Sequence, residues 1–413
     1  MFSRFVFGLG LLSATALVHH PAFAADARTL QIFVSKDKQS LAVYDGADVI
    51  ATSKVSTGKA GHTTPSGIFS VLEKQKYHES NLYSAAPMPW MQRLTWSGIA
   101  LHESNSVPRN PASHGCVRMP AAFAKQLYQM TSLSVPVIIS DAEVAPEPVA
   151  HPNLFRPDLP EPPLLLSDAA LRPAIGETGG EPVRLAMNSA VPPPVARAAV
   201  PENTNPIRIL ITRRTERETV INIQTYLNQL GFSAGAPDGL LGAATIQAIN
   251  AFKALRSMQF KDDKALVSDT LLREIYAAAG KGEPPNGVIM VRQDFKPVFE
   301  APITIGNPRQ ALGTHFFTLH AVDVENGRAD WLGVTLKNNL SRQAMKRLGI
   351  VANESSIVTG GTPIADALDR ITIPDGTRSR IDGMLAKGST LTISDTGIGP
   401  ETGAGTDFIT ITR

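Results

Sequence analysis

Residues 101–120 read LHESNSVPRNPASHGCVRMP. This stretch holds the chain's only cysteine, Cys116, beside His114 and Gly115, with a second histidine, His102, fourteen residues upstream. An unassisted thiol with a pKa of about 8.5 is only a few per cent thiolate at neutral pH. A nucleophilic cysteine therefore needs a base within hydrogen-bond reach and donors for the oxyanion that forms on its substrate. The stretch supplies two imidazoles, a glycine that lets substrate approach the backbone, and Arg118 just past the sulfur. The expected layout is a strand over Ile99 to Glu103 presenting His102, then a Pro/Asn/Ser loop. Cys116 is expected where that loop starts a helix over Pro120 to Met130, so that unpaired N–H groups favour a thiolate.

Two plainer readings compete. A lone cysteine is most often a small buried hydrophobe, but polar residues and two histidines crowd this one. Two histidines and a cysteine also suit zinc. Here His114 and Cys116 are one residue apart, which chelates poorly, and no further ligand cluster follows. No metal and no cofactor are expected. A net charge of +2 over 413 residues argues against a nucleic-acid partner.

Ser113-His114-Gly115-Cys116-Val117-Arg118, preceded by an apolar strand ending in histidine, resembles the active-site signature of the YkuD-type L,D-transpeptidases. Ser56-Thr57-Gly58 and Thr64-Pro65-Ser66-Gly67-Ile68-Phe69 resemble that family's other recurring segment, so the likeness spans about Thr29 to Asp141. The gap from His102 to Ser113 is shorter than in many members, which implies a trimmed loop over the cleft and leaves the acceptor open.

The N-terminus, MFSRFVFGLGLLSATALVHHPAFAADA, has an early cation, an apolar run from Phe5 to Val18 and a small-residue cleavage site at Ala22-Phe23-Ala24. It reads as a secretory signal peptide over residues 1–24 rather than a membrane span. The mature chain is then expected without a membrane span, in the periplasm or cell envelope. A single cysteine there forms no internal disulfide and is either inert or kept for reactivity.

From Thr29 short strands follow one another: Leu30 to Val34, Ser40 to Tyr44 ending in an Asp45-Gly46 turn, Asp48 to Ser56, Gly67 to Val71 and Gly98 to His102. Trp90, Met91 and Trp96 fall in a loop and read as packing or as a wall of the cleft. Ala121 to Met130 has helical spacing, and Val135 to Ser140 closes the module. Residues 29–141 thus read as a mainly β catalytic module, a helix-capped β-sandwich or barrel, as the family resemblance also implies. Residues 142–206 carry 14 of the 31 prolines and read as an extended linker, with Leu164-Leu165-Leu166 a possible packed piece.

Residues 216–280 read as three helices, the third capped by Asp269, with Leu272, Ile275 and Tyr276 inward. Gln224, Leu227, Leu230-Gly231-Phe232, Asp238-Gly239, Gly242, Thr245, Ala248-Ile249 and Phe252 resemble the small three-helix peptidoglycan-binding domain, which implies binding to the cell-wall polymer. The plainer alternative is a helical spacer. Residues 286–413 are β-rich and echo the first module. Ile303-Thr304-Ile305-Gly306 parallels Val55 to Gly58, Leu312 to Phe316 parallels Pro65 to Phe69, and Ile373-Pro374 parallels Met119-Pro120. On that spacing Cys116 falls opposite Arg370, so this part reads as a degenerate second copy without its nucleophile. His315 and His320 read as structural.

The resemblance implies that Cys116 is the nucleophile, His102 its base, and His114 a residue that orients the pair or lines the oxyanion site. Gly115 and Cys116 amides are the expected oxyanion donors, Arg118 a two-pronged carboxylate holder or a structural ion pair, and Ser113 a shaper of the turn. It also implies a peptidoglycan tetrapeptide stem as donor and an L,D cross-link as product. Trimming by water, cutting of existing links and a silent wall-binding scaffold are the alternatives. A papain-like hydrolase is disfavoured because it places the cysteine before the histidine.

Overall fold

The computed structural model describes residues 28–80, 85–158, 205–257, 259–261, 263–337, 340–351 and 362–412. The expected signal peptide, Leu164 to Leu166 and the proline clusters at 162–163 and 192–194 lie outside them. Among the described residues no helix is long and apolar enough to cross a membrane.

In the first module β1 (Leu30–Ser35), β2 (Ser40–Asp45), β3 (Asp48–Lys54) and β4 (Ser66–Ser70) follow in chain order. A second, smaller sheet is built from β5 (Glu73–Gln75), β6 (Met91–Arg93), β7 (Ala100–Glu103) and β8 (Val117–Met119). Helix α1 (Ala121–Met130) and β9 (Pro136–Ser140) close the module. Phe123, Ala124 and Leu127 on α1 pack with Ile32, Val34, Leu101, Val117 and Met119 in one core, which joins the two sheets and the helix. Burying such aliphatic side chains is the main favourable term in the fold.

The stretch assigned above to a linker begins packed. β10 (Glu147–Val149) pairs antiparallel with a strand of the C-terminal module, and Leu154 and Phe155 are buried in that module's core. After it comes β11 (Arg208–Arg213), an unanticipated strand that opens the second module.

The helical segment is inserted after β11. It consists of α2 (Glu216–Gln229), α3 (Ala243–Leu255) and α4 (Asp269–Ala278) around Ile223, Leu227, Ile249, Phe252, Leu271 and Ile275. Thr215 and Glu218 form a capping box on α2. The cap of α4 is Ser268, whose hydroxyl accepts from the Leu271 amide, rather than Asp269, and Leu271 rather than Leu272 is the fully buried residue.

The second module then continues through β12 (Gly287–Gln293), β13 (Lys296–Ile305), β14 (Thr314–Asp323), β15 (Arg328–Leu336), α5 (Arg342–Arg347), α6 (Ile364–Asp369), β16 (Ile371–Thr372), α7 (Asp375–Asp382), β17 (Thr390–Ser394) and β18 (Thr410–Thr412). Its sheet contains the run β14-β17-β11-β12-β13, and the first sheet contains β4-β9-β1-β2-β3. The pairing senses match strand for strand. The echo read from sequence is therefore a repeated topology. Its register differs by one residue at β4 and β14: Ile68 faces Ile138 while Phe316 faces Thr392, so Ile68 corresponds to Phe316 rather than His315.

The two copies are locked together in two ways. The outer faces of their sheets meet through Phe33, Ile68 and Ile138 on one side and Phe316, Val334 and Leu336 on the other. Each copy also gives its last strand to the other: β10 joins the second sheet, and β18 joins the first against β4. Gly67 permits that second exchange, because a Cβ there would stand 2.2 Å from the Thr410 carbonyl oxygen.

Candidate active site

The small sheet places the site by simple alternation. In strands successive side chains point to opposite faces, and residues paired across a ladder share a face. Leu101 and Val117 are paired and point into the core with α1. Their neighbours His102 and Arg118, also paired, therefore stand on the opposite face, and so does Arg93 on β6, which pairs with Ala100. Cys116, one residue before β8, lies on that same face and packs on Met88, Met91 and Ala100. Met88, Arg93, His102, Cys116 and Arg118 line one cleft of about 360 Å³, and His78 lines it with them.

The turn that carries the sulfur is held from below. Ser56 exchanges both main-chain hydrogen bonds with Arg118 at 3.0 Å, and the Ala112 and Ser113 amides donate to the Thr57 carbonyl. Thr64 donates to the Gly115 carbonyl at 2.7 Å and accepts from the Gly58 amide at 2.8 Å. The two segments quoted from the sequence thus meet as one clamp. Gly115 has φ +116°, and a Cβ there would approach Ile99 Cδ1 to 2.9 Å, so only glycine suits the position.

Ser113 is buried. Its hydroxyl donates to the Cys116 carbonyl and accepts from the Gly115 amide at 3.1 Å. The Gly115 N–H, expected as an oxyanion donor, is therefore engaged within the turn. Cys116 also does not sit at a helix N-terminus, because β8 separates it from α1, so the expected help from the helix dipole is absent. Its half-buried thiol donates to the Gly98 carbonyl at 3.3 Å. Burial raises the thiol above its ordinary 9.0, opposed by the Ala100 amide and the charges of Arg118 and Arg93.

His102 is buried, and its Nδ1 lies 2.6 Å from the Glu103 carbonyl. Burial pushes this imidazole down to about 4, against the carbonyl's opposing pull, with Arg118 and His78 adding to the fall. Both shifts favour the uncharged forms over a thiolate–imidazolium pair. His114 is exposed at the rim, its ring edge-on to His62 with centroids 4.8 Å apart. Burial lowers it, as do the charges of Lys59, His62 and Arg118.

Of the aromatic loop, Met91 is in β6 under the sulfur, Trp90 packs on Tyr128, and Trp96 is exposed against Arg93. None of the three lines the cleft. Arg93 and His78 do, and neither carries a local signal in the sequence, because β5 and β6 are three residues each and too short for a periodic pattern. Among the described residues no group of three or more His, Cys, Asp or Glu is placed to hold a metal ion.

In the second copy Thr304 pairs with Thr372 as Ser56 pairs with Arg118, which sets Arg370 where Cys116 stands in the first. Its buried guanidinium donates to the carbonyls of Gly306, Asn307, Gln310 and Ala311. His315 is fully buried between Thr335 and the Leu312 carbonyl, and burial pushes it down to about 4. The cleft of the first copy has become packed interior in the second.

Residues 30–139 match the family described as the L,D-transpeptidase catalytic domain, and residues 216–260 match a peptidoglycan binding domain family. No curated protein matches the chain. Among solved structures, an L,D-transpeptidase from Stackebrandtia nassauensis is 27% identical, with 28% of this chain and 56% of that one covered and a TM-score of 0.26. One from Xylanimonas cellulosilytica is 28% identical over 27% and 59%, with a TM-score of 0.25. One from Mycobacterium smegmatis is 23% identical over 27% and 59%, with a TM-score of 0.26. The chain thus spans less than two thirds of each. Residues 30–139 are a YkuD-type L,D-transpeptidase catalytic domain, carried in one chain with a helical domain of the peptidoglycan-binding type.

Proposed function

We propose that this protein transfers the acyl half of a peptidoglycan tetrapeptide stem through a thioester on Cys116. The observation that carries it is Cys116 and His102 on one face of the small sheet, opening into one cleft. His102 Nε2 takes the thiol proton as sulfur attacks the carbonyl of the stem's third residue, a diamino acid. The bond to the terminal D-alanine breaks, and the imidazolium returns its proton to the departing amine. An amine of a neighbouring stem then attacks the thioester, giving the L,D cross-link and the free thiol. Water in place of the amine gives carboxypeptidase trimming. Arg118 holds a donor carboxylate, and His114 lines the entrance. The helical domain holds the wall polymer, and the protein works in the cell envelope after export.

Mass analysis of products from purified tetrapeptide stems tests the proposal. Dimers joined through the third residue are expected from the native chain and from no Cys116→Ala sample. Tripeptides alone would replace cross-linking by trimming, and unchanged substrate with a folded native chain would sink acyl transfer.

A further inference from the structure

A second arginine shares the face that carries Cys116 and His102. Arg93 stands on β6 opposite Ala100, on which Cys116 packs, while Arg118 on β8 stands opposite His102. At about 4.8 Å per strand and about 3.3 Å per residue the two arginines stand roughly 12 Å apart at the backbone, diagonally across β7. Both line the cleft.

Arg93 is held in a closed ring of side chains. Its Nε donates to Glu73 Oε2 at 2.6 Å, and its Nη2 lies 3.4 Å from His78 Nε2. His78 Nδ1 in turn meets Gln75 Oε1 at 3.0 Å, and Gln75 Nε2 donates to the other Glu73 oxygen. The indole of Trp96 lies 5.7 Å from the guanidinium. This ring uses two of the five N–H groups of a guanidinium and fixes its plane. A fork oriented in advance loses little freedom on taking a carboxylate.

We infer that Arg93 is a specificity-determining residue that takes the free C-terminal carboxylate of the donor's leaving residue, on the other side of β7 from the carboxylate held by Arg118. The inference rests on the acyl-transfer reading above. In a peptide whose scissile carbonyl sits at the sulfur, only the amide nitrogen and one Cα separate that carbonyl from the terminal carboxylate. A residue beside the sulfur on the leaving side is therefore within reach of it. The donor class is a peptide with a free acid terminus, and an amidated terminus offers the fork nothing to grip.

The test is steady-state kinetics of the whole chain on two tetrapeptide stems, one with a free terminal carboxylate and one with a terminal amide. The native chain is expected to favour the free acid in kcat/KM by about tenfold or more, the worth of a charge-assisted hydrogen bond. Arg93→Gln is expected to abolish that preference, the free-acid donor losing its KM advantage over the amide donor. Arg93→Lys keeps the ion pair with Glu73 but loses the fork, so it is expected to show a reduced preference and decides the matter if Arg93→Gln does not fold. Variants that discriminate the two donors as the native chain does overturn the inference while acyl transfer stands. A native chain inert on both donors overturns acyl transfer and this inference with it.

Discussion

His102 Nδ1 lies 2.6 Å from the main-chain carbonyl of Glu103, an oxygen that can only accept. The proton is therefore on Nδ1, and the lone pair is on Nε2. The residue next in sequence thus fixes the tautomer that a base toward Cys116 requires.

Because burial holds His102 at about 4, Nε2 keeps its lone pair down to that pH. The acid limb of kcat/KM is expected near pH 4, and an acid limb near 6.5 would mean that burial does not hold this imidazole down. His102→Gln is expected to lower the rate by about a hundredfold or more, the usual scale for a lost general base. Single-turnover acylation measures both.

The raised thiol of Cys116 makes the resting sulfur a poor nucleophile toward a simple alkylating agent. Its alkylation by iodoacetamide should keep rising past pH 9. A plateau reached below pH 7 would mean a resting thiolate.

Acid should weaken the fold as well as the activity. His102 and His315 are both buried and both pushed down to about 4. Between their unfolded value of 6.5 and about 4 the unfolded chain binds protons that the folded chain refuses. Stability is thus complete above 6.5 and is lost as pH falls through this window, by up to about 3 kcal/mol per histidine. Burial raises Asp382 to about 6, which works in the opposite direction and offsets part of one histidine. A net fall in melting temperature from pH 7 to 4.5 is expected, with less of it in a His315→Gln variant that folds.

Ile409, buried just before the exchanged strand β18, belongs to the catalytic module's core, with Ile411 packed beside it. Ile409→Ala is expected to cost about 2–5 kcal/mol and to lower catalytic-module stability, read by denaturant melting with acylation as the probe. Unchanged stability would mean that the exchange is not needed for the fold.

Arg370→Met should destabilise the second copy, since four carbonyls of the 306–311 loop lose their donor. Acyl transfer by the folded fraction is expected to stay within a few fold of native, because the residue lies in the silent copy. Hydrogen exchange in that loop and the acylation rate together check this.

The turn at Cys116 and the helical segment were legible because their signals are local. Glycine, histidine and cysteine at fixed spacing mark the turn at Cys116, and helical periodicity with caps marks 216–280. The position of Arg370 opposite Cys116 was also readable, since Ile373-Pro374 and Met119-Pro120 precede their helices in the same way.

By itself, then, the sequence determined the turn around Cys116, the three helices of residues 216–280, and a C-terminal part that repeats the first with arginine opposite the cysteine. Tertiary structure alone decided the pairing of β11 with β12 across the helical insertion, the exchange of β10 and β18, the burial that raises Cys116 and lowers His102, and the entry of Arg93 into the cleft. The physical reason is range. Strand partners far apart in the chain leave no mark in either segment, and the desolvation that sets a pKa depends on which distant side chains close over the group.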